Sequence, residues 1–228
     1  MIYLEYRDNI GIITLDNERG NLLFYNDLQL LSNIFADNLP EVKGLVVTGK
    51  NHSFCTGLSI EPANAEESLK LLDTVLLKMY SYSKPLVIAL TGHAIGAGFL
   101  MLSCADYVIS INSIKAKFGL PEVKLGMGLD QCMITLLSSV LPYYVMKQLI
   151  YTSEYVSYRQ MQDWRLIDEV QQENIVEKSI THIERISQPI SFSYCKKIMR
   201  TPNTLKMEEM INKKCFCSLA QLINKNLI

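Results

Sequence analysis

The chain has 228 residues, of which 49% are hydrophobic, and 22 Lys and Arg nearly balance 23 Asp and Glu. This length and hydrophobic content suit one substantial globular domain. No basic stripe favours nucleic acid, and no polybasic segment favours a membrane surface. The first residues form no basic and then apolar leader, and no apolar run reaches the length of a membrane span, so we expect a cytoplasmic protein.

The cysteines and histidines of the chain do not form a recognisable ligand pattern. Six cysteines are spread over positions 55, 104, 132, 195, 215 and 217, and three histidines stand at 52, 93 and 182. None of the cysteines forms a Cys-x-x-Cys pair. We therefore expect reduced, mostly buried thiols and no metal site.

The first eighty residues predict a hairpin, two helices and a strand. Apolar patterning at 2–7 and 10–15 predicts a β-hairpin. Helical spacing of apolar residues predicts helices at 24–38 and 65–82, with the short buried strand Gly44–Thr48 between them and a loop at 49–57. The second helix carries a stripe that we expect to face the core or a neighbouring subunit: Leu69, Leu72, Val75, Leu76 and Met79.

Residues 84–106 are the most informative stretch. The apolar run Leu86–Leu90 leads to a turn, and a second apolar run, Phe99–Cys104, follows. Small residues occupy the turn: Gly92, Gly96, Ala97 and Gly98. This pattern predicts a buried strand that leads through a glycine-rich loop into a buried helix, with backbone N–H groups open to a ligand. Such a site can hold a phosphate or stabilise a developing oxyanion.

The second half of the chain predicts one more strand and then mostly helices. A strand is expected at Asp106–Ser110, helices near 130–139, 142–151 and 157–164, and a short strand at 166–170. From 172 the pattern is helical to the end, with breaks near Gln188-Pro189 and at Thr201-Pro-Asn203. Alternating strands and helices predict an α/β fold with parallel pairing, a core at 1–170 and a helical C-terminal region at 171–228.

Three segments in order carry a family resemblance. They are Ser53–Ser59 (SFCTGLS), the Lys84–Asp106 stretch and Lys117–Gly126 (KFGLPEVKLG), with a weaker match at 151–168. They resemble the motifs of the crotonase superfamily, the enoyl-CoA hydratase/isomerase family. The resemblance spans about residues 10–170 and implies an α/β spiral of ββα units. It also implies a helical C-terminal trimerisation region, and hence a homotrimer or homohexamer.

The resemblance assigns roles to particular positions. The oxyanion-hole donors fall on the backbone N–H groups of Leu58 and Ala97, where two N–H groups would stabilise a thioester enolate. Hydratases of the family use two glutamates, and here the first position is Leu100 while the second is retained as Glu122. This combination resembles the Δ3,Δ2-enoyl-CoA isomerases, so Glu122 is the expected single proton shuttle, with its pKa raised by apolar neighbours.

The remaining candidate residues have two interpretations each. Asp130 begins a predicted helix, where a capping carboxylate is the ordinary interpretation, but its spacing from Glu122 resembles a second acid in dienoyl-CoA isomerases. His93 either contacts substrate or packs as a neutral side chain in the turn. The stripe of the 65–82 helix either packs in the core or lines an acyl tunnel. We expect substrate to be bound by five further positions: Gly57, Gly96, Gly98, Leu100 and His93.

Isomerisation of a 3-enoyl-CoA to a 2-enoyl-CoA is the leading hypothesis for the function. No cofactor is expected beyond the coenzyme A of the substrate. One alternative is a decarboxylase, dehydratase or hydratase of the same fold acting on an acyl group held by a carrier protein, and another is a catalytically silent acyl-thioester-binding protein. The family usually ends in a further helix that covers the acyl site, and this sequence stops about where that helix is expected to begin, at 221–228.

Overall fold

The computed structural model describes residues 1–36, 41–186 and 188–213. The strands are β1 Ile2–Arg7, β2 Ile10–Leu15, β3 Gly44–Gly49, β4 Ser53–Cys55, β5 Leu86–Leu90, β6 His93–Ile95, β7 Tyr107–Ile111, β8 Phe118–Gly119 and β9 Glu169–Gln171. The helices are a four-residue turn α1 Glu18–Asn21, α2 Tyr25–Ala36, α3 Ala65–Ser81, α4 Ala97–Leu102, α5 Gln131–Ser138, α6 Tyr143–Thr152, α7 Tyr158–Asp163, α8 Ile175–Glu184 and α9 Pro189–Asn212.

The strands form two sheets. The larger has the order β1-β2-β3-β5-β7-β9, with β1 antiparallel to β2 and every other pair parallel. The smaller has the order β4-β6-β8 and is parallel throughout. Successive pairs β3/β4, β5/β6 and β7/β8 each place their first strand in the large sheet and their second in the small one. The chain thus advances as a spiral of ββα units, as the sequence predicts.

Side-chain alternation along the large sheet builds two cores. In β5, Leu86, Ile88 and Leu90 point into the main core, whereas Val87 and Ala89 point to the other face. Helix α8 covers that second face with three buried isoleucines: Ile175, Ile180 and Ile183. The sequence predicts a boundary between the core and the C-terminal region at residue 170. Strand β9 spans this position, and α8, which follows it, packs on the large sheet.

Helix α9 is fastened to the core by a buried charge network. Lys196 Nζ lies 2.6 Å from Asp106 Oδ2, and Arg200 Nη2 lies 2.8 Å from Asp106 Oδ1. Arg200 also donates to the backbone carbonyls of Tyr80, Cys104 and Ala105 at 2.7–2.9 Å. These contacts join α9 to the ends of α3 and α4.

The predicted break at Thr201-Pro-Asn203 is wrong, because α9 continues through Pro202 to Asn212. A proline inside a helix removes one hydrogen bond and crowds the preceding turn. Here Arg200 is anchored two residues before the proline, and Met207 is fully buried after it. Packing on both sides therefore outweighs the local preference for a break.

Several other predictions can be compared with the described residues. The 2–7/10–15 hairpin is confirmed, and a gap between helices lies at the Gln188-Pro189 break. The strand predicted at 166–170 lies instead at Glu169–Gln171. Predictions for 37–40 and for the tail from 214 to 228, including Cys215 and Cys217, fall outside the described residues.

The described ranges also show the character of the helices and the state of four cysteines. Across the described ranges, no helix combines the length and the apolarity needed to cross a lipid bilayer. Cys55, Cys104 and Cys132 are buried free thiols, and Cys195 is an exposed free thiol.

Candidate active site

The small sheet brings the three sequence motifs together. Strands β4, β6 and β8 are parallel, so their carboxyl ends meet at one edge. Each strand leads within three residues to a candidate group: β4 to Leu58, β6 to Ala97 and β8 to Glu122. The sequence predicts a plain loop where β4 and β6 lie, and this is corrected here. Two- and three-residue strands are too short to display alternation.

Glycines allow the motif loops to approach one another. A Cβ on Gly98 would lie 2.2 Å from the Cys55 carbonyl oxygen, so Gly98, which the sequence predicts to bind substrate, packs closely against strand β4. A Cβ on Gly96 would lie 3.7 Å from the Gly57 Cα, which shows how close the two donor loops are. Both of those glycines have positive φ, +56° at Gly96 and +124° at Gly57, a region that favours glycine.

A cavity of about 120 Å³ opens at this edge of the small sheet. It brings together six of the predicted site residues: Gly57, Leu58, Gly96, Ala97, Leu100 and Glu122. Its remaining walls are mainly apolar: Thr56, Ile60, Leu69, Leu72, Ile95, Pro121, Leu125, Met127, Gly128, Leu129 and Met133. The segment 125–129 carries no periodic pattern, so sequence reasoning missed its contribution to this wall.

Two backbone donors at the cavity are available to a ligand. Within the described residues, neither the Leu58 N–H nor the Ala97 N–H has a hydrogen-bond acceptor. The flanking backbone is fixed, because Leu23 N–H donates to the Gly57 carbonyl and Ser59 N–H donates to the Leu23 carbonyl. Unpaired N–H groups in a largely apolar cavity are suited to an oxygen that gains negative charge.

Glu122 is the one titratable side chain that lines the cavity within the described part of the chain. Its backbone carbonyl accepts from Leu125 N–H at 3.0 Å and from Met127 N–H at 2.8 Å, which fixes the turn that carries it. Its Oε1 would lie 3.0 Å from a Cβ on Gly96, so the carboxyl lies beside the second donor loop. Its Oε2 is buried without a hydrogen-bond partner among the described residues.

Burial sets the acidity of Glu122. Desolvation disfavours the charged carboxylate and raises its pKa from 4.5 to about 7. A carboxyl with this pKa exists in both protonation states near neutral pH. It is therefore suited to take up a proton and to release it again.

Leu100 forms an apolar wall of the cavity and is 1% exposed. It lies on α4, one turn after the Ala97 donor. The resemblance implies a glutamate at this position in hydratases, whereas a leucine cannot exchange a proton. The α3 stripe serves two purposes: Leu69 and Leu72 line the cavity, and the whole stripe is buried in the core.

Asp130 and His93 are held by other contacts. Asp130 Oδ1 accepts from Met133 N–H at 2.9 Å and caps α5, which confirms the capping interpretation. His93 lies in β6, where its Nδ1 accepts from Lys117 N–H at 3.0 Å. Neither side chain is among the residues that line the cavity.

Comparison with known proteins gives consistent matches over nearly the whole chain. The sequence model of a family described as enoyl-CoA hydratase/isomerase matches residues 5–221. A carnitinyl-CoA dehydratase from Escherichia coli strain K12 is 23% identical over 219 residues, covering 91% of this chain and 83% of that protein. A similar dehydratase from Salmonella typhi is 24% identical and covers 86% of this chain and 79% of its own length.

Solved structures resemble the fold as well. A human mitochondrial Δ3-Δ2-enoyl-CoA isomerase superposes with a TM-score of 0.90 at 17% identity, covering all of this chain and 93% of its own. An enoyl-CoA hydratase from Bacillus halodurans superposes with a TM-score of 0.86 at 19% identity, covering 97% of this chain and 94% of its own. At these identities the likeness concerns the fold.

Proposed function

This chain belongs to the enoyl-CoA hydratase/isomerase family, and we propose that it isomerises a 3-enoyl-CoA to the 2-enoyl form with Glu122 as the single proton shuttle. The observation that carries this proposal is the composition of the cavity wall. Of the described residues that line it, Glu122 alone can exchange a proton near neutral pH.

The proposed reaction begins with the thioester oxygen between the Leu58 and Ala97 N–H groups. The Glu122 carboxylate removes a proton from C2, and the electron pair moves into the thioester to give an enolate held by the two donors. Each donor of this kind contributes about 3 kcal/mol in comparable sites. The protonated Glu122 then returns the proton at C4, and the double bond shifts to join C2 and C3. No electrons are gained or lost, so no cofactor is required beyond the coenzyme A of the substrate.

Leu100 supports isomerisation over dehydration, the second candidate. Dehydration of a 3-hydroxyacyl-CoA requires both a base for C2 and an acid for the leaving hydroxyl, and paired groups favour it. The curated relatives are named carnitinyl-CoA dehydratases, which makes this reaction the natural competitor. The apolar Leu100 leaves the described cavity wall without a second titratable partner for Glu122.

The test measures the turnover of a panel of thioesters through the absorbance of the conjugated product. The cavity of about 120 Å³ approaches the size that holds one benzene-sized molecule, so short-chain 3-enoyl-CoAs come first. We expect turnover by the wild type and by Glu67→Gln, which alters an exposed carboxyl on α3, and loss of turnover in Glu122→Ala. Full turnover by Glu122→Ala would exclude the proposed mechanism.

The same panel distinguishes the alternatives. Conversion of a 3-hydroxyacyl-CoA without isomerisation would indicate a dehydratase, and reaction only on an acyl carrier protein would indicate the carrier-bound substrate. Binding of acyl-CoA that survives Glu122→Ala, with no reaction on any thioester, would indicate a silent binding protein. A homotrimer or homohexamer is proposed from the resemblance, and light scattering of the purified protein measures it.

A further inference from the structure

Behind the wall of the cavity lies a buried acidic cluster that the proposed reaction does not use. Asp73 on α3, Asp130 at the start of α5 and Cys132 on α5 bring their oxygen and sulfur atoms within 4.8 Å of one another. Asp73 is 0% exposed, and neither of its carboxyl oxygens has a partner at normal hydrogen-bond geometry among the described residues. The nearby Cys132 thiol is a weak donor that lowers the pKa of Asp73. Asp130 Oδ2 is also buried without a donor.

Among the described residues, no cation compensates the charge of the cluster. The ionisable groups that act on Asp73 are Asp130 and Cys132, and the next one beyond them is Cys104, at the end of α4. On α3 itself, Lys70 is exposed and Lys78 donates to Ser32. On α9, Lys196 and Arg200 pair with Asp106 instead, and Lys197 and Lys206 are exposed.

Two ionised carboxylates cannot form a hydrogen bond with one another, because both are only acceptors. Buried like charges at this separation repel strongly in a medium of low polarity. Burial, reinforced by the charge of Asp130, also raises the pKa of Asp73 well above its ordinary value. A single proton would remove one charge and create the missing donor.

We propose that Asp73 and Asp130 share one proton, so that a carboxyl–carboxylate hydrogen bond joins α3 to the start of α5. Asp130 Oδ1 continues to cap Met133 N–H, and its Oδ2 accepts from the protonated Asp73. Cys132 stays a thiol, since burial and the neighbouring carboxylates raise its pKa.

The proposed bond lies directly behind the acyl cavity. Asp73 follows Leu72 and lies one helical turn after Leu69, and Asp130 lies between Leu129 and the capped Met133. All four of these apolar side chains line the cavity. The shared proton therefore holds the α3 wall against the α5 wall.

Unfolding of the wild type and Asp73→Asn across pH 5 to 8 tests the proposal. The Asn amide can donate to Asp130 at every pH, whereas the wild type must take up a proton on folding once the unfolded chain has ionised Asp73. The native Asp73 pKa is raised, so its contribution to stability is greatest below pH 4 and is lost as pH rises. For as long as the pair keeps its proton in the folded state, the ratio of the two folding equilibrium constants should shift against the wild type by about tenfold per pH unit. A ratio that is independent of pH would overturn the proposal.

A spectroscopic measurement identifies the proton directly. The infrared difference between Glu122→Gln and the Glu122→Gln/Asp73→Asn double variant should contain the carbonyl band of a protonated carboxyl at pH 7. Absence of that band, or a stoichiometric divalent metal whose removal by EDTA lowers the melting temperature, would overturn the proposal. If Asp73→Asn does not fold, Asp130→Asn replaces it, because its amide donates to an ionised Asp73 and should give the same tenfold slope.

The effect of the Asp73–Asp130 hydrogen bond on catalysis rests on the proposed function. Asp73→Ala should raise KM several-fold because the cavity wall loosens, whereas Asp73→Asn should keep KM near the wild-type value. If no acyl thioester is turned over, the proposed function fails, while the unfolding and infrared results still decide whether the pair holds a proton.

Discussion

Replacing Glu122 with glutamine should affect activity and stability in opposite directions. The amide cannot accept the C2 proton, and loss of a positioned acid–base group lowers a rate by about 10²–10⁴-fold. The same change removes a buried group whose charged form is costly. A pKa of about 7 against an ordinary value of 4.5 means that ionised Glu122 lowers the free energy of unfolding by about 3 kcal/mol.

The pH dependence follows from the direction of that pKa shift. Because the folded-state pKa is raised, the protonated form is favoured in the fold, and stability falls as pH rises from about 4.5 to 7. The melting temperature of Glu122→Gln should therefore equal that of the wild type at pH 4 and exceed it by several degrees at pH 8. Catalysis has the reverse dependence, since the base must be ionised. In the wild type kcat/KM should rise with pH and be half-maximal near pH 7.

The assay combines steady-state turnover of a 3-enoyl-CoA with thermal unfolding at pH 4, 6 and 8. Glu67→Gln, an exposed change of the same chemistry, should match the wild type in both measurements. Turnover by Glu122→Gln within tenfold of the wild type would refute the role of Glu122. A wild-type rate that does not change between pH 6 and 8 would refute the elevated pKa.

Three further substitutions and one control substitution test the packing that supports the site, each by denaturant unfolding. Gly98→Ala would place its Cβ 2.2 Å from the Cys55 carbonyl oxygen and should cost about 3 kcal/mol, whereas Gly128→Ala has open space and should cost less than about 0.5 kcal/mol. Equal costs would contradict the close approach of the loops. Asp106→Asn removes the charge that pairs with the buried Lys196 and the partly buried Arg200 of α9 and should cost about 3 kcal/mol. Pro202→Ala restores a helix donor and should stabilise the protein by about 2 kcal/mol, and destabilisation would contradict the unbroken α9.

Local patterns predicted the longer elements well. The alternation at 2–7 and 10–15 and the stripe from Leu69 to Met79 are strong signals, because each spans enough residues to display a period. The strands of the small sheet contain two or three residues and display none. Their pairing depends on contacts between glycine-rich loops that are far apart in the sequence.

The unbroken helix at Pro202 and the Asp73–Asp130 pair depend on contacts between distant segments, which local sequence patterns do not contain. The break expected at Pro202 ignored the anchoring of α9 by Arg200. The position of Asp73, one turn after Leu69 and one turn before Leu76, was a signal of a buried acid within an apolar stripe. Its neighbour Asp130 could be placed at a helix cap from sequence, but their proximity required the fold.

The candidate groups at the small sheet are of two kinds, main-chain N–H groups and side chains. The two proposed donors at Leu58 and Ala97 are backbone N–H groups, so their position depends on the strands that carry the main chain and not on the chemistry of the side chain there. A change at Leu100, by contrast, alters which protons can move without disturbing how the thioester would be held. Under the proposed function, a single side-chain replacement on this scaffold would change the reaction while the proposed backbone contacts to the substrate stay the same.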